Sequence, residues 1–140
     1  VESSNFSSYP LGSKKDFNSA RRFSKVGLSE QIQLFYNIES NNVVYCIYCD
    51  KPACKFVEYI GETGARLKDR FGQHLGYIRC AEPDKYPTGK HFNLPGHTEK
   101  NMKLTVIEKC RIESLNYRKT REAHFINLFD TKRNGLNKKL

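Results

Sequence analysis

Residues 43–48 read VVYCIY, and residues 55–60 read KFVEYI. Both runs are rich in β-branched and aromatic residues, which favour β-strands. The intervening DKP at residues 50–52 is typical of a turn, so the two runs predict a β-hairpin with an elaborated connection. After GETG at residues 61–64, the apolar residues change from strand spacing to helical spacing. The chain is therefore expected to pass from a strand into a helix across a glycine-rich turn.

The helix after this turn has apolar residues nearly every four positions, at Leu67, Phe71, Leu75 and Ile78. Residues 80–100 contain three prolines, two glycines and two histidines. This composition predicts a long loop that needs an internal anchor to be ordered. Residues 102–108 alternate in polarity and predict a third strand.

Two further helices are predicted at the ends of the chain. The last one begins near Ser114, closes at Asn134-Gly135, and has an apolar stripe made of Leu115, Ala123, Ile126 and Phe129. Upstream, residues 27–40 predict one short amphipathic helix. The order of helix, two strands, helix, loop, strand and helix predicts a mixed α/β (α+β) domain.

The composition is that of one basic domain. The 140 residues are 38% apolar, enough for a single core, and contain no apolar run near the roughly 18 residues that span a bilayer, so no membrane segment is expected. The net charge is 24 − 15 = +9, which favours a polyanion such as nucleic acid as the partner. Residues 43–140 carry 19 − 11 = +8 of it. Residues 1–41 are therefore expected to be a basic arm and short helix, and residues 42–140 the folded domain.

Five cysteines make an odd count, which fits a reducing compartment better than a disulfide framework. Cys46, Cys49 and Cys54 lie within nine residues, and His91 and His97 follow much later. A metal site assembled from two distant segments has this pattern. The alternative is a set of free cysteines and surface histidines.

Arg70 and His74 lie four residues apart and project from one side of the predicted helix. Together they could bind one phosphate, because arginine is a charged planar donor and histidine can move a proton near neutrality. The alternative is an ordinary solvated face. Glu122 falls within the apolar stripe of the last helix, where a carboxylate needs an ion-pair partner such as Arg118 or a bound divalent cation such as Mg²⁺.

Tyr45 and Tyr59 lie on the two hairpin strands, where most tyrosines are packed rings with one polar end. Their hydroxyls could also orient or deprotonate a water molecule. An unperturbed phenol titrates near pH 10, so a base role requires positive charge nearby, from Arg70 or a metal, to lower the pKa.

These motifs together resemble the GIY-YIG nuclease family. VVY at residues 43–45, YIG at 59–61, Arg70 with His74, and Glu122 before Phe-Ile follow the family's order over roughly residues 42–137. Val-Val replaces Gly-Ile in the first motif, but its tyrosine is kept. The resemblance implies a small three-stranded antiparallel sheet flanked by helices.

Three segments bring the chain closer to the endonuclease domain of Penelope-like retroelements. They are YIGETG at residues 59–64, HFNLPGH at 91–97 and NGLN at 134–137. Restriction and repair nucleases share the fold, but the HFNLPGH segment and the zinc ligands favour the retroelement group.

That group inserts a Cys-Cys-His-His zinc site, and the matching positions here are Cys49, Cys54, His91 and His97. The spacing between the cysteines is wider than usual, so Cys46 with Cys49 is a competing pair. Cys49 with Cys54 is favoured because Cys46 occupies an apolar strand position. Cys80 and Cys110 are interpreted as packing residues.

The resemblance implies Mg²⁺- or Mn²⁺-dependent hydrolysis of a DNA phosphodiester that leaves a 5′-phosphate and a 3′-hydroxyl. Glu122 would hold the Mg²⁺ and Arg70 would neutralise charge on the phosphate. Tyr45 is the candidate for activating the attacking water. Tyr59 and His74 are the implied orienting or proton-passing groups for Tyr45, and Asn137 would support the phosphate or the tyrosine network by hydrogen bonding.

A retroelement endonuclease would nick chromosomal DNA to prime integration. The expected location is therefore the nucleus, and the expected neighbour in a larger protein is a reverse transcriptase domain. The alternative function is a non-catalytic, zinc-stabilised nucleic-acid-binding module. Alanine at Arg70 or Glu122 would discriminate the two, because it should abolish only cleavage.

Overall fold

The computed structural model describes residues 39–54 and 57–137. These residues form three strands, β1 (Val43–Cys49), β2 (Glu58–Thr63) and β3 (Met102–Lys109). The helices are α1 (Leu67–Arg79), α2 (Pro87–His91), α3 (Leu115–Phe129) and α4 (Thr131–Asn134). Short 3₁₀ turns occur at Pro52–Cys54, Pro83–Lys85 and Glu99–Asn101. The predicted mixed α/β class is confirmed, whereas the basic arm and nearly all of the helix predicted at residues 27–40 lie outside the described residues.

The sheet is small and antiparallel, with the order β2-β1-β3. All seven residues of the central strand β1 are buried, because helices cover both faces of the sheet. Tyr45 and Cys49 lie on the face that packs against α1, and Cys46 lies on the opposite face against α3. Successive side chains of a strand point to opposite faces, so residues an even number apart share one face.

The hairpin, α1 and β3 are confirmed, but the second strand begins at Glu58 and runs through Gly61 to Thr63. The long loop predicted over residues 80–100 contains regular pieces that the prediction missed, namely the short helix α2 and two 3₁₀ turns. Pro83 and Pro87 each occupy the first turn of one of these pieces, where a missing backbone N–H costs nothing.

The predicted apolar stripe of the last helix is partly wrong. Leu115 is 55% exposed, and Ala123 is exposed as well. The buried side chains of α3 are Phe125 and Phe129, which pack on the β1 face opposite α1. The helix also ends earlier than predicted, because Asp130 adopts a left-handed conformation with φ 57° before α4 begins.

Among the described residues, no helix combines the length and the apolar character that crossing a membrane would require.

Candidate active site and metal cluster

Tyr45 lies directly across the hairpin from Gly61. A Cβ atom added to Gly61 would stand 2.5 Å from both Cζ and the hydroxyl oxygen of Tyr45. The missing side chain therefore leaves the space that the buried Tyr45 ring fills. This contact gives a physical reason for glycine in the YIG motif.

Gly61→Ala is expected to lower the free energy of unfolding by about 1–3 kcal/mol, because the added methyl group overpacks against a buried ring. Urea denaturation would measure the change. Gly72→Ala is the matched control, since Gly72 lies on α1 and, apart from its own helix backbone, no atom of the described residues comes within 4 Å of its added Cβ. This control should be neutral or stabilising by up to about 1 kcal/mol. Equal stability of the two variants would contradict the packing argument.

His74 connects Tyr45 to Thr88 through two buried hydrogen bonds. Its Nε2 lies 3.0 Å from the Tyr45 hydroxyl, and its Nδ1 lies 3.0 Å from the Thr88 Oγ1. The Tyr59 ring packs edge-on against the imidazole at a centroid distance of 5.4 Å. His74 is only 3% exposed, so the alternative of a solvated arginine and histidine face is wrong for this residue.

Burial sets the protonation of this group. Desolvation, helped by the charge of Arg70, lowers the pKa of His74 to about 3, so the imidazole is neutral at pH 7. Burial and the neighbouring Tyr59 raise the pKa of Tyr45 well above its usual value, and the opposing effect of Arg70 is smaller. Burial followed by Glu122 raises the pKa of Tyr59. Arg70 does lower the pKa of both tyrosines, as a base role would require, but desolvation raises each pKa by more.

The buried neutral His74 predicts a pH-dependent stability. Its folded pKa of about 3 lies below the usual 6.5, so the unfolded chain binds the proton more readily. The stability that His74 contributes is complete above about pH 6.5 and is lost as the pH falls, by about 1.4 kcal/mol per unit. The gap in unfolding free energy between the native chain and His74→Gln should narrow between pH 6.5 and 4.5. Urea denaturation at each pH would measure both unfolding free energies. Acid effects at other sites are common to the two chains and cancel in the difference, so a difference that stays constant with pH would contradict the prediction.

Arg70 and Glu122 contribute opposite charges next to the tyrosines. The Arg70 guanidinium donates to the Gln73 side chain at 2.7 Å and to the backbone oxygen of Glu62 at 3.4 Å. The Glu122 carboxylate comes from α3 and is 17% exposed. The charges of Arg70 and Glu122 both affect the pKa values of Tyr45 and Tyr59, so these groups lie within electrostatic range of one another.

The sequence left open an ion pair between Glu122 and a basic residue such as Arg118. Glu122 does have an ion-pair partner, but it is Lys119, at 3.5 Å. Arg118 instead pairs with Glu62 at 2.7 Å. Glu62 also lies 3.3 Å from the Lys119 ammonium, so both carboxylates contact Lys119, while Glu62 has Arg118 as a second partner. Burial raises the pKa of Glu122 and the Glu62 charge adds to the rise, against the lowering effect of Lys119. A further cation near Glu122 would relieve this repulsion.

Asn137 reaches the edge strand β2 rather than a tyrosine hydroxyl. Its Nδ2 donates to the Ile60 carbonyl at 2.9 Å, and its Oδ1 accepts from the Ile60 N–H at 2.9 Å and from the Thr131 hydroxyl at 2.6 Å. These bonds pair the free edge of β2 between Tyr59 and Gly61. The amide is therefore placed to hold the strand that carries Tyr59.

The predicted zinc ligands come together. The ligand atoms of Cys49, Cys54, His91 and His97 all lie within 4.8 Å of one another. The Cys54 thiol and the His97 Nε2 are 3.3 Å apart, and the buried His91 Nε2 has no hydrogen-bond partner among the described residues. Two thiolates and two imidazoles around one zinc ion stand about 3.3–3.8 Å apart, so the cluster could hold such a metal with small adjustments.

Strand geometry explains the choice between the cysteines. Cys46 lies on the opposite face of β1 from Cys49, and its thiol contacts the Ile47 carbonyl. Cys54 follows in the 3₁₀ turn after β1, and His91 ends α2. Burial, then the His97 charge, lowers the pKa of His91 to about 4, which leaves the neutral imidazole that binds metals. The cluster thus joins the hairpin connection to residues 87–97.

Two residues of the site, Thr88 and Glu62, were not singled out from the sequence. Thr88 lies in the segment interpreted as a loop, and nothing in its local pattern points to His74. Glu62 directly follows the YIG motif on a strand, and the presence of an acidic residue next to this motif was the signal that could have identified it. Comparisons with protein-family models, curated proteins and solved structures found no match for this chain.

Proposed function

We propose that this chain is a metal-dependent DNA endonuclease of the GIY-YIG type, related to the Penelope-like retroelement endonucleases. The observation that carries the proposal is the buried Tyr45–His74 hydrogen bond beside the charges of Arg70 and Glu122. A proton acceptor, a phosphate-binding cation and a carboxylate for a metal ion are the groups that phosphodiester hydrolysis requires.

In the proposed reaction a water molecule attacks phosphorus. The new P–O bond forms as the P–O3′ bond breaks, so a 5′-phosphate and a 3′-hydroxyl remain. The Tyr45 oxygen takes the proton of the water while its own proton passes to His74 Nε2, 3.0 Å away, and the 3′ oxygen takes a proton from solvent. Burial is the main cause of the low His74 pKa, and the Arg70 charge adds to it. An anionic phosphate beside Arg70 would offset this second part, which makes the imidazole a better proton acceptor when DNA is bound.

Glu122 would hold the catalytic Mg²⁺ or Mn²⁺. Its carboxylate suits a hard cation, and burial raises its pKa against the lowering effect of Lys119. The bound ion would supply positive charge that stabilises the leaving oxygen. Arg70 would bind the nonbridging phosphoryl oxygens through its planar guanidinium, and Tyr59 would orient the reacting groups.

The Cys49, Cys54, His91 and His97 cluster would bind zinc in a structural role. Four protein ligands close a tetrahedral shell and leave no position for water or substrate. The metal would fasten the hairpin connection to the segment that contains α2.

The positive charge of residues 43–140 would hold the flanking DNA through phosphate contacts, so affinity should fall steeply with added salt. In a retroelement protein the resulting 3′-hydroxyl would prime synthesis by a reverse transcriptase domain, and the enzyme would act in the nucleus.

The test is a supercoiled-plasmid assay with Mg²⁺ across a salt series, using the native chain beside Arg70→Ala. Conversion to open circles by the native chain alone, with nicks that DNA ligase can reseal, supports the proposed chemistry. Ligase requires the 5′-phosphate and 3′-hydroxyl ends that this mechanism produces. Salt-sensitive binding without cleavage by either chain would overturn it in favour of the non-catalytic, zinc-stabilised binding module.

A further inference from the structure

We infer that Thr88 is a positioning residue that holds His74 in the tautomer able to accept the Tyr45 proton; this inference rests on the proposed function. Thr88 is 1% exposed, and its Oγ1 lies 3.0 Å from His74 Nδ1. The other ring nitrogen faces the Tyr45 hydroxyl at the same distance. The two ring nitrogens therefore each have one buried partner, and the partner of one nitrogen determines the role of the other.

A neutral imidazole carries one N–H. When Nδ1 carries it and donates to the Thr88 oxygen, Nε2 has a free lone pair and accepts the Tyr45 hydroxyl proton. In the opposite tautomer Nε2–H points at Tyr45 and no proton can leave the phenol in that direction. After transfer the ring carries both protons, and the Nδ1–H bond to Thr88 persists. The Thr88 hydroxyl can donate as well as accept, but the doubly protonated ring requires an acceptor at Nδ1. A Thr88 oxygen that accepts throughout therefore serves the productive state before and after the step without touching the substrate.

The position of Thr88 is fixed by close packing of α2 on the end of α1. A Cβ atom on the neighbouring Gly89 would stand 2.6 Å from the Pro83 carbonyl oxygen and 2.7 Å from that of Tyr77. The Asn93 amide donates to the carbonyls of Ile78 at 3.0 Å and Gly89 at 2.7 Å, which joins the two helices. Backbone contacts this close leave Thr88 little freedom to move away from His74.

The same short helix also carries His91, three residues after Thr88. His91 belongs to the metal cluster, so the residues that fasten α2 to the hairpin connection also fasten the hydroxyl that faces His74. The segment interpreted from sequence as a loop therefore contributes to both the metal cluster and the proton path.

The test combines imidazole nitrogen NMR with the nicking assay on the full chain. Long-range ¹H–¹⁵N spectra of the native protein should show His74 as the Nδ1–H tautomer. Thr88→Val keeps the shape but removes the hydroxyl, and should shift His74 towards the Nε2–H form with kcat lowered about 10- to 100-fold at nearly unchanged KM. Thr88→Ser restores a hydroxyl and should retain the native tautomer with kcat within about threefold.

An Nε2–H tautomer in the native chain would overturn the inference, and this spectrum requires no variant to fold. So would a Thr88→Val protein whose His74 spectrum and kcat match the native ones, or a Thr88→Ser protein as impaired as Thr88→Val. If even the native chain nicks nothing, the proposed function fails, while the spectra still decide whether Thr88 sets the tautomer.

Discussion

Arg70→Ala is expected to slow plasmid nicking about a thousandfold and to leave most of the DNA affinity intact. The guanidinium lies next to the tyrosines, where charge would build on the phosphoryl oxygens as water attacks, and preorganised charges of this kind make large contributions to phosphoryl transfer. The side chain is only half-buried and donates to the Gln73 amide and one backbone carbonyl. Its removal should therefore change the free energy of unfolding by less than about 1 kcal/mol.

Arg79→Ala is the matched control, because Arg79 lies on the same helix and its loss removes the same single charge. Its guanidinium pairs with Glu99 at 2.6 Å. Single-turnover nicking rates and filter-binding affinities at several salt concentrations would separate the two variants. Both should weaken binding slightly, but only Arg70→Ala should lose the chemical step. Equal nicking rates for the two variants would mean that Arg70 acts as general surface charge, and the assignment of the phosphate site would fail.

The spacing of apolar residues along the sequence was sufficient to predict the strands and helices that bury one face. The β-branched run at residues 43–48 and the four-residue apolar spacing from Leu67 to Ile78 were sufficient for β1 and α1, because burial of one face dictates each period. The burial of His74 could not be predicted from such local spacing. Its ring lies on the buried side of α1 because Tyr45 and Thr88, which are 29 and 14 residues away in sequence, supply its hydrogen bonds.

The structure of residues 80–100 could not be predicted because its order comes from distant partners. Prolines and glycines are local signals for a loop, but here Pro87 starts a helix and Gly89 permits close backbone contact with Tyr77. The side-chain contacts of Asn93 with Ile78 complete the arrangement. Similarly, the Asn137 amide pairs with Ile60, 77 residues earlier, and no pattern near either residue indicates that bond.

The choice of cysteines was the part of the site that sequence handled best. Cys46 and Cys49 differ by an odd number of positions on one strand, so their side chains must point to opposite faces of the sheet. Cys46 accordingly lies in the cluster of residues packed under α3, whereas Cys49 lies on the α1 face. Assigning Cys46 to the apolar core from its position in the strand anticipated this result.

Cys54→Ser is expected to lower the melting temperature by about 15 °C or more, because the folded chain would lose most of its affinity for the proposed structural zinc. A ligand present at a thousand times its dissociation constant stabilises the folded state by about 4 kcal/mol, and for a domain near 100 residues each kcal/mol corresponds to about 4–8 °C. The substitution keeps the size of the side chain but removes the thiolate from a cluster whose ligand atoms lie within 4.8 Å of one another. Calorimetry and metal analysis on the same samples would measure both effects.

Cys80→Ser is the matched control, since Cys80 is exposed and its thiol donates to the Tyr77 carbonyl, outside the cluster. The native chain and this control should each retain one zinc ion and lose stability in excess chelator, and cobalt in place of zinc should give the visible absorption of a tetrahedral site. Cys54→Ser should bind less metal and respond little to the chelator, because the stabilisation it would remove is already gone. If the native chain contains no zinc and melts unchanged in chelator, the four side chains form thiol and imidazole contacts without a metal, and α2 is held by its packing against α1 and the Pro83–Lys85 turn.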